Sequence, residues 1–494
     1  MAMKRTSTKF GAAAAVLAGG VLAGAALAQP VVGPQKRVDP NNTTNAAVNE
    51  TTMSVGDAKH NHIVGGWNDY RSNIKSFFTL SLDGGVTWND FAIRPPAQHQ
   101  STVEGDPMAA HDHRDGTLYA GAMSFAGNGG IYVARKDPGS NTFNASVMAR
   151  ISGSVDKGWM CVGPDPNDLN NPGKSIVYVA YNQGLIRSTD KGQTWTAPLA
   201  IASGSIGFLP RVGPSGTLYI LYWDFSNGIW IRTSTNGGVS LTPAVRVATR
   251  LDVWGIDGTR FPGQFRVPPL AYLAVDPVDE TLYVVYFDTT QVSQGNRDVD
   301  LYFTKSTNKG ANWSTPKIIN GAAGNPKADS FFPWLEVDRT GRIGLHFYDT
   351  RHVDQNDNTT YAWIDAYYSY SEDKGATWKE IRLTPTSWSS QFDGNGGGFI
   401  GDYLGMGQAH GPAGSYFWPL YLSGQGNQPH TYTHKIYHPC PGDFNADETI
   451  NTVDVLDFLN AWNAKTAKGD FNGDGTWNTL DVLAFLNAYN APCP

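Results

Sequence analysis

Ser188-Thr189-Asp190-Lys191-Gly192-Gln193-Thr194-Trp195 decides how this chain folds, because the octad recurs. Ser81-Leu82-Asp83-Gly84-Gly85-Val86-Thr87-Trp88 and Ser371-Glu372-Asp373-Lys374-Gly375-Ala376-Thr377-Trp378 are intact copies. Ser306 to Trp313 and Ser234 to Leu241 are weaker ones, with Asn308 and Asn236 in the Asp place, and Ala134 to Phe143, centred on Asp137, is a decayed form. A short carboxylate or amide at that place accepts bonds from turn N–H groups, the Gly supplies positive φ, and the Trp buries the hairpin. Their Asp residues are therefore read as structural. Ahead of the octads stand pairs of β-rich segments joined by a turn, such as Pro107-Met108-Ala109-Ala110 leading to Gly116-Thr117-Leu118-Tyr119. Each unit is two inner strands followed by a hairpin tipped by the octad, and such self-similarity marks a repeat architecture.

The octads resemble the Asp box, or BNR repeat, of the sialidase-like β-propellers, and the resemblance spans residues 49–438. It implies a mainly β fold, a β-propeller, which has six blades in the sialidases themselves; counting the units of this chain gives a seven-bladed β-propeller, with six blades as the alternative, ahead of a small α-helical domain. The units fall at 49–95, 104–152, 158–202, 207–250, 268–320, 330–385 and 400–438. The last has no octad and is short of a strand. The segment from Val31 to Val38, within an N-terminal stretch at 29–48, is therefore expected to pair into it and close the ring.

Lys4, Arg5 and Lys9 precede an apolar run from Phe10 to Leu27 that ends in Ala26-Leu27-Ala28, which reads as a secretory signal over residues 1–28. The expected location is extracellular or cell-surface, with no membrane span in the mature chain. Without those three cations, 34 basic residues face 44 acidic ones, a formal charge of −10 that argues against a nucleic-acid partner. Three cysteines allow one disulfide. Cys440 and Cys493 bracket the last segment and are paired, leaving Cys161 alone.

After Tyr437 the composition changes. Asp443, Asn445, Asp447, Thr449, Asn451 and Asp454 stand at positions 1, 3, 5, 7, 9 and 12 of a loop. Asp470, Asn472, Asp474, Thr476, Asn478 and Asp481 repeat them 27 residues on. Alternating short oxygen ligands wrap a hard cation, so two calcium ions are expected, with Gly475 making the second loop the tighter one. Asp at position 12, with a helix starting inside the loop, resembles the dockerin variant of the EF-hand over residues 440–494. That resemblance implies a cohesin-like or surface-anchoring partner contacted by Thr452-Val453 and Thr479-Leu480. Two apolar stripes, Val455, Phe458, Leu459, Trp462 and Val482, Phe485, Leu486, Tyr489, are expected to pack face to face.

Strand parity places the turns after second strands and the connections before first strands on the face opposite the octads. Polar and aromatic residues collect there: Asp69-Tyr70-Arg71, Trp223-Asp224, Phe287-Asp288 and Asp349-Thr350-Arg351, with Glu104-Gly105-Asp106, Asp156-Lys157, Arg211, Arg266 and Asp402-Tyr403. Long connections, Thr289 to Val299 and His352 to Thr360, would wall this mouth. Such a ring suits a carbohydrate or glycoprotein ligand.

The sialidase resemblance implies three arginines on a sugar carboxylate, an Asp acid and a Tyr nucleophile beside a Glu. Arg71, Arg211, Arg266 and Arg351 are offered for the first, Asp106, Asp349 or Asp402 for the second, and Tyr403 for the third. The family's Phe-Arg-Ile-Pro segment is absent, and Phe91-Ala92-Ile93-Arg94-Pro95 is scrambled and follows the first box. Two functions stand: a secreted glycoside hydrolase of sialidase-like type, or a non-catalytic propeller that binds glycan or protein, each displayed through the tail.

Overall fold

The computed structural model of the protein describes residues 29–56, 61–72, 75–251, 265–289, 299–322, 325, 328–352, 361–396 and 398–493. The segment at 1–28, read from the sequence as a secretory signal, and most of the connections after Thr289 and His352 lie outside the described residues. Contacts divide the chain into Pro30–His438 and a second unit containing Pro439–Cys493. Among the described residues, no helix is long and apolar enough to cross a membrane.

Among the described residues, seven antiparallel sheets make up the larger unit. Their first strands are Val48–Val55, Glu104–His111, Trp159–Pro164, Ile206–Val212, Ala271–Val275, Ser330–Val337 and Gly405–Gly411. Each packs against the first strand of the next, and the seventh packs against the first, so these strands form a closed cycle. Apolar side chains between neighbouring sheets hold the cycle. Val64, Phe78, Leu118 and Tyr132 join sheets one and two, Met123, Val133, Met160 and Val179 join two and three, and Cys161, Tyr178, Phe208 and Ile220 join three and four. Each such side chain contributes on the order of 1.5–3 kcal/mol by leaving water. Cys161 belongs to this core, and burial pushes its thiol up to about 12.

The N-terminal segment lies in the seventh sheet. Val31 and Val32 pair with Tyr437 and Ile436, and Lys36 and Arg37 pair with Thr433 and Tyr432.

In all five boxes the Ser hydroxyl donates to the Asp or Asn side chain. Asp190 Oδ1 accepts from the Gln193 and Thr194 N–H groups and from Ser188 Oγ, while Trp195 Nε1 donates to Gly192 O at 3.0 Å. Asp83 repeats the pattern, Asp373 repeats its carboxylate bonds while Trp378 Nε1 finds no acceptor, and Asn236 and Asn308 keep the backbone bond to the residue four places on. Three boxes carry Lys in the left-handed region, with φ of 60°, 59° and 55° at Lys191, Lys309 and Lys374. A side chain there costs on the order of 1 kcal/mol relative to Gly. Each of these lysines reaches an acidic residue in a turn after a first strand: Asp115 at 2.6 Å, Glu280 at 2.8 Å and Asp279 at 2.5 Å. Lys191 and Lys374 thereby tie their sheets to the preceding one. Asp190→Ala should lower unfolding free energy by about 1 kcal/mol, as loss of a helix cap does, since the freed N–H groups can recruit water. Chemical denaturation measures it; an unchanged midpoint would contradict the structural role.

In the smaller unit, helices α1 (Thr452–Asn463) and α2 (Thr479–Asn490) begin inside the loops. Asn451 and Asn478 are their N-caps, and Asp454 and Asp481 close capping boxes. Phe458 and Phe485 stack at 4.3 Å with Phe444 and Phe471 edge-on around them. The expected face-to-face stripes are only partly realised. Leu459 and Leu486 are 40% and 38% exposed, because the pair of helices buries one narrow line centred on the phenylalanines. Cys440 and Cys493 are bonded, with Cα atoms 5.9 Å apart.

Candidate functional site

A bulge near the start of four first strands turns side chains toward the axis. Register shifts fall at Asn49/Thr52, Gly105/Met108, Ile206/Leu209 and Phe331/Trp334. Glu50, Asp106 and Phe332 take positive φ there (55°, 52° and 50°), as does Lys157 (50°) just before the third first strand. Non-glycine residues held in this region mark places where the fold enforces a side-chain direction.

Glu50, Asp106, Lys157, Asp402 and Tyr403 gather as a result. Asn68 Nδ2 donates to Glu50 Oε2 at 2.6 Å, and Asn68 Oδ1 accepts from the Asp106 N–H at 2.9 Å. Asp106 Oδ2 in turn accepts from the Lys157 N–H at 3.0 Å. Arg266 grips Asp402 bidentately at 2.9 and 2.7 Å. Lys157 Nζ lies 3.9 Å from Asp402 Oδ2 and 3.4 Å above the Tyr403 ring. Trp159 meets Tyr403, Tyr272 and Trp334 edge-on or tilted beneath them.

Burial first, and the Asp402 carboxylate second, push Glu50 well above the usual carboxylate range, and a hydrogen bond with Asp106 adds to the shift. Burial and the nearby Glu50 carboxyl likewise push the Tyr403 phenol up. Its hydroxyl is buried without a hydrogen-bond partner. Burial thus favours the protonated form of both groups, which suits donation and disfavours a phenolate nucleophile. Toward solvent the cluster is rimmed by Tyr70, Asp156, Arg266 and Phe399, with the Arg266 guanidinium 4.6 Å over the Phe399 ring.

Of the six candidate catalytic residues, Asp106, Asp402 and Tyr403 are thus brought together. The other three are held in two matching ion-pair clusters. Arg71 takes Asp69 with Nε and Nη2 and Asp90 with Nη1, over the Phe77 ring. Arg351 takes Asp349 with Nε and Nη2 and Glu380 with Nη1, over the Tyr367 ring. Both carboxylates accept the arginine's own N–H as well, and both are fully buried, so the Asp-x-Arg pairs tie the end of a second strand to the outer strands. Arg211 is a second correction. It sits near the end of Ile206–Val212, beside Glu336, and so belongs to the opposite end of the ring. No set of three arginines on one ligand carboxylate forms from the four offered.

Glu50 was missed by sequence reasoning, although a signal existed. Asn49-Glu50-Thr51-Thr52 is a polar start to a first strand, as Glu104-Gly105-Asp106 is in the next unit.

In the tail the two loops make the same bonds 27 residues apart. Asp443 accepts from the Asp447 and Glu448 N–H groups, and Asp470 accepts from those of Asp474 and Gly475. Asp454 accepts from Asn445 and Asn451, and Asp481 from Asn472 and Asn478. Asp443, Asp454 and Asp481 are buried, at 1%, 0% and 0% exposure. Among the described residues no three His, Cys, Asp or Glu side chains converge as a metal site; each loop also draws on Asn side chains and backbone.

No family model matches the sequence, and no curated protein matches it significantly. Solved structures with similar chains include a protein of unknown function from Dyadobacter fermentans, 14% identical over 84% of this chain and 99% of that one, with a TM-score of 0.43. A Hadza microbial sialidase, Hz136, is 16% identical over 71% and 69%, at 0.43. The leech intramolecular trans-sialidase is 10% identical over 71% and 70%, at 0.42.

Proposed function

We propose that the chain is a secreted seven-bladed propeller that recognises a carbohydrate or glycoprotein ligand at the Glu50 end of its ring and is displayed through a calcium-dependent, dockerin-like tail. One observation carries the recognition reading. The charged side chains of the mouth are locked to one another, Asp402 in the Arg266 fork and Lys157 on Tyr403, so the site offers a rigid rim of Tyr70, Asp156, Arg266 and Phe399. Aromatic faces with fixed polar groups stack and hydrogen-bond sugar rings without reorganising. A second reading, a glycoside hydrolase, is favoured by Glu50, whose carboxyl is pushed up by burial, beside Asp106, a carboxyl pair fit for general-acid work.

The loops fit calcium through buried carboxylates backed by oxygen donors in a 12-residue spacing. Asp443, Asn445, Asp447, the Thr449 carbonyl, Asn451 and Asp454, with their counterparts from Asp470 to Asp481, would hold two ions, whose charge would offset the crowded carboxylates. Exposed Val453, Leu456 and Leu459 on α1 and Leu480, Leu483 and Leu486 on α2 form repeated apolar edges for an anchoring partner.

A glycan-binding and hydrolysis screen that includes sialosides tests both readings. The expected result is retention of a glycan without turnover, weakened about tenfold or more by Arg266→Ala. Turnover by the unaltered protein that Glu50→Gln abolishes would replace recognition by hydrolysis. Absence of both binding and turnover would overturn the carbohydrate reading.

A further inference from the structure

A cavity of about 410 Å³ occupies the other end of the ring, where the first strands finish. All seven first strands contribute to its wall, from Ser54 of the first to Gln408 of the seventh. Its size suits a ligand of one or two rings. Three arginines line it, Arg114, Arg211 and Arg339, against Asp112 and Glu336, in a chain whose formal charge is −7. Asp112 Oδ1 already accepts from the Arg114 N–H at 3.0 Å.

Arg211 differs from the other three arginines offered for the sugar carboxylate. Arg71, Arg266 and Arg351 each grip a carboxylate with two nitrogens. Arg211 makes one 3.2 Å contact with Glu336 Oε1, an oxygen that also accepts from Trp334 Nε1. Its Nη1 reaches only Pro210 O at 3.4 Å, and its Nε has no acceptor. Gln408 Nε2 is a second buried donor without one. Buried donors in this condition are unfavourable, and both here belong to side chains of one cavity wall. The missing element is an oxygen acceptor that matches a half-filled guanidinium fork, which is the geometry of a carboxylate. Arg211 keeps 16% of its side chain exposed, so a small turn presents its Nε edge to the cavity. Burial pushes Glu336 up, which eases the approach of a second carboxylate. Met53, Met160 and Val162 supply an apolar wall for the ligand's carbon skeleton.

We propose that this cavity binds a small organic acid of about monosaccharide size, its carboxylate in the Arg211 fork and its skeleton against Met53, Met160 and Val162. The site stands apart from the Glu50 mouth and does not depend on the recognition reading. Calorimetric titration of the full chain with D-glucuronate, D-galacturonate and benzoate, and with D-glucose as the neutral match, tests it. At least one acid should bind while glucose does not. Arg211→Lys, which keeps the charge and removes the fork, should weaken that acid about tenfold or more. Gln408→Leu should weaken it too, and decides the matter if the first variant does not fold. Binding of none of the three acids, equal binding of glucose, or full affinity in the folded variants overturns the proposal.

Discussion

Acidification from about pH 7 to about pH 4 should remove on the order of 3 kcal/mol of stability through one histidine, His346, before carboxylates are considered. The ring is fully buried between sheets six and seven, with Nδ1 2.8 Å from the Tyr367 carbonyl, and burial holds it down at about 4. The unfolded chain protonates near pH 6.5 and the folded one only near 4, so the unfolded state binds more protons in that window. Stability is complete above 6.5 and is lost as pH falls. His434, against Tyr421 and the Gly33 carbonyl, and His438, against Tyr368, are shifted the same way by burial and deepen the loss. Glu50 works in the other direction. Its raised value disfavours the folded state at neutral pH and relieves it on acidification. Urea midpoints against pH, compared between the unaltered protein and His346→Phe, separate these contributions. The variant should show a shallower acid slope; identical slopes would mean that His346 is not held neutral.

Calcium withdrawal should disorder most of residues 440–494 while the ring stays folded. The tail's core is little more than Phe444, Phe458, Phe471 and Phe485, too small to outweigh six aspartates crowded into two loops without a counter-ion. Limited proteolysis of the full chain in EGTA should cut between Cys440 and Cys493 and leave the 30–438 body intact. Excess calcium should protect the tail and raise helicity. A tail equally resistant in EGTA would mean that the loops are not a folding-coupled calcium site.

What could be read from the residues alone follows the range of the interaction. The boxes and the loops were legible because each side chain bonds to backbone within the next few residues, as Asp190 does with Thr194 and Asp443 with Glu448. The mouth was half legible. Its polar residues were visible, but Glu50 meets Asp402 only because a bulge turns it inward and the ring returns the chain beside it. The Asp349-Thr350-Arg351 stretch looks catalytic in one dimension; Glu380 and Tyr367, which arrive from two further strands, complete it as an ion-pair cluster. Arg211 was assigned to the wrong end by a strand start set too late, since the first strand begins at Ile206.

The pairing of Val31 with Tyr437 also orders events in time. A sheet assembled from both extremes of the ring gives its last step a very high contact order, and such closures are slow because the chain entropy is surrendered before the contacts form. A chain emerging from a ribosome can build sheets one to six in succession. The seventh must wait until residue 437 is out, so the partly closed ring exposes unpaired edges for most of its synthesis. Any factor that guards this protein against aggregation has that interval in which to act.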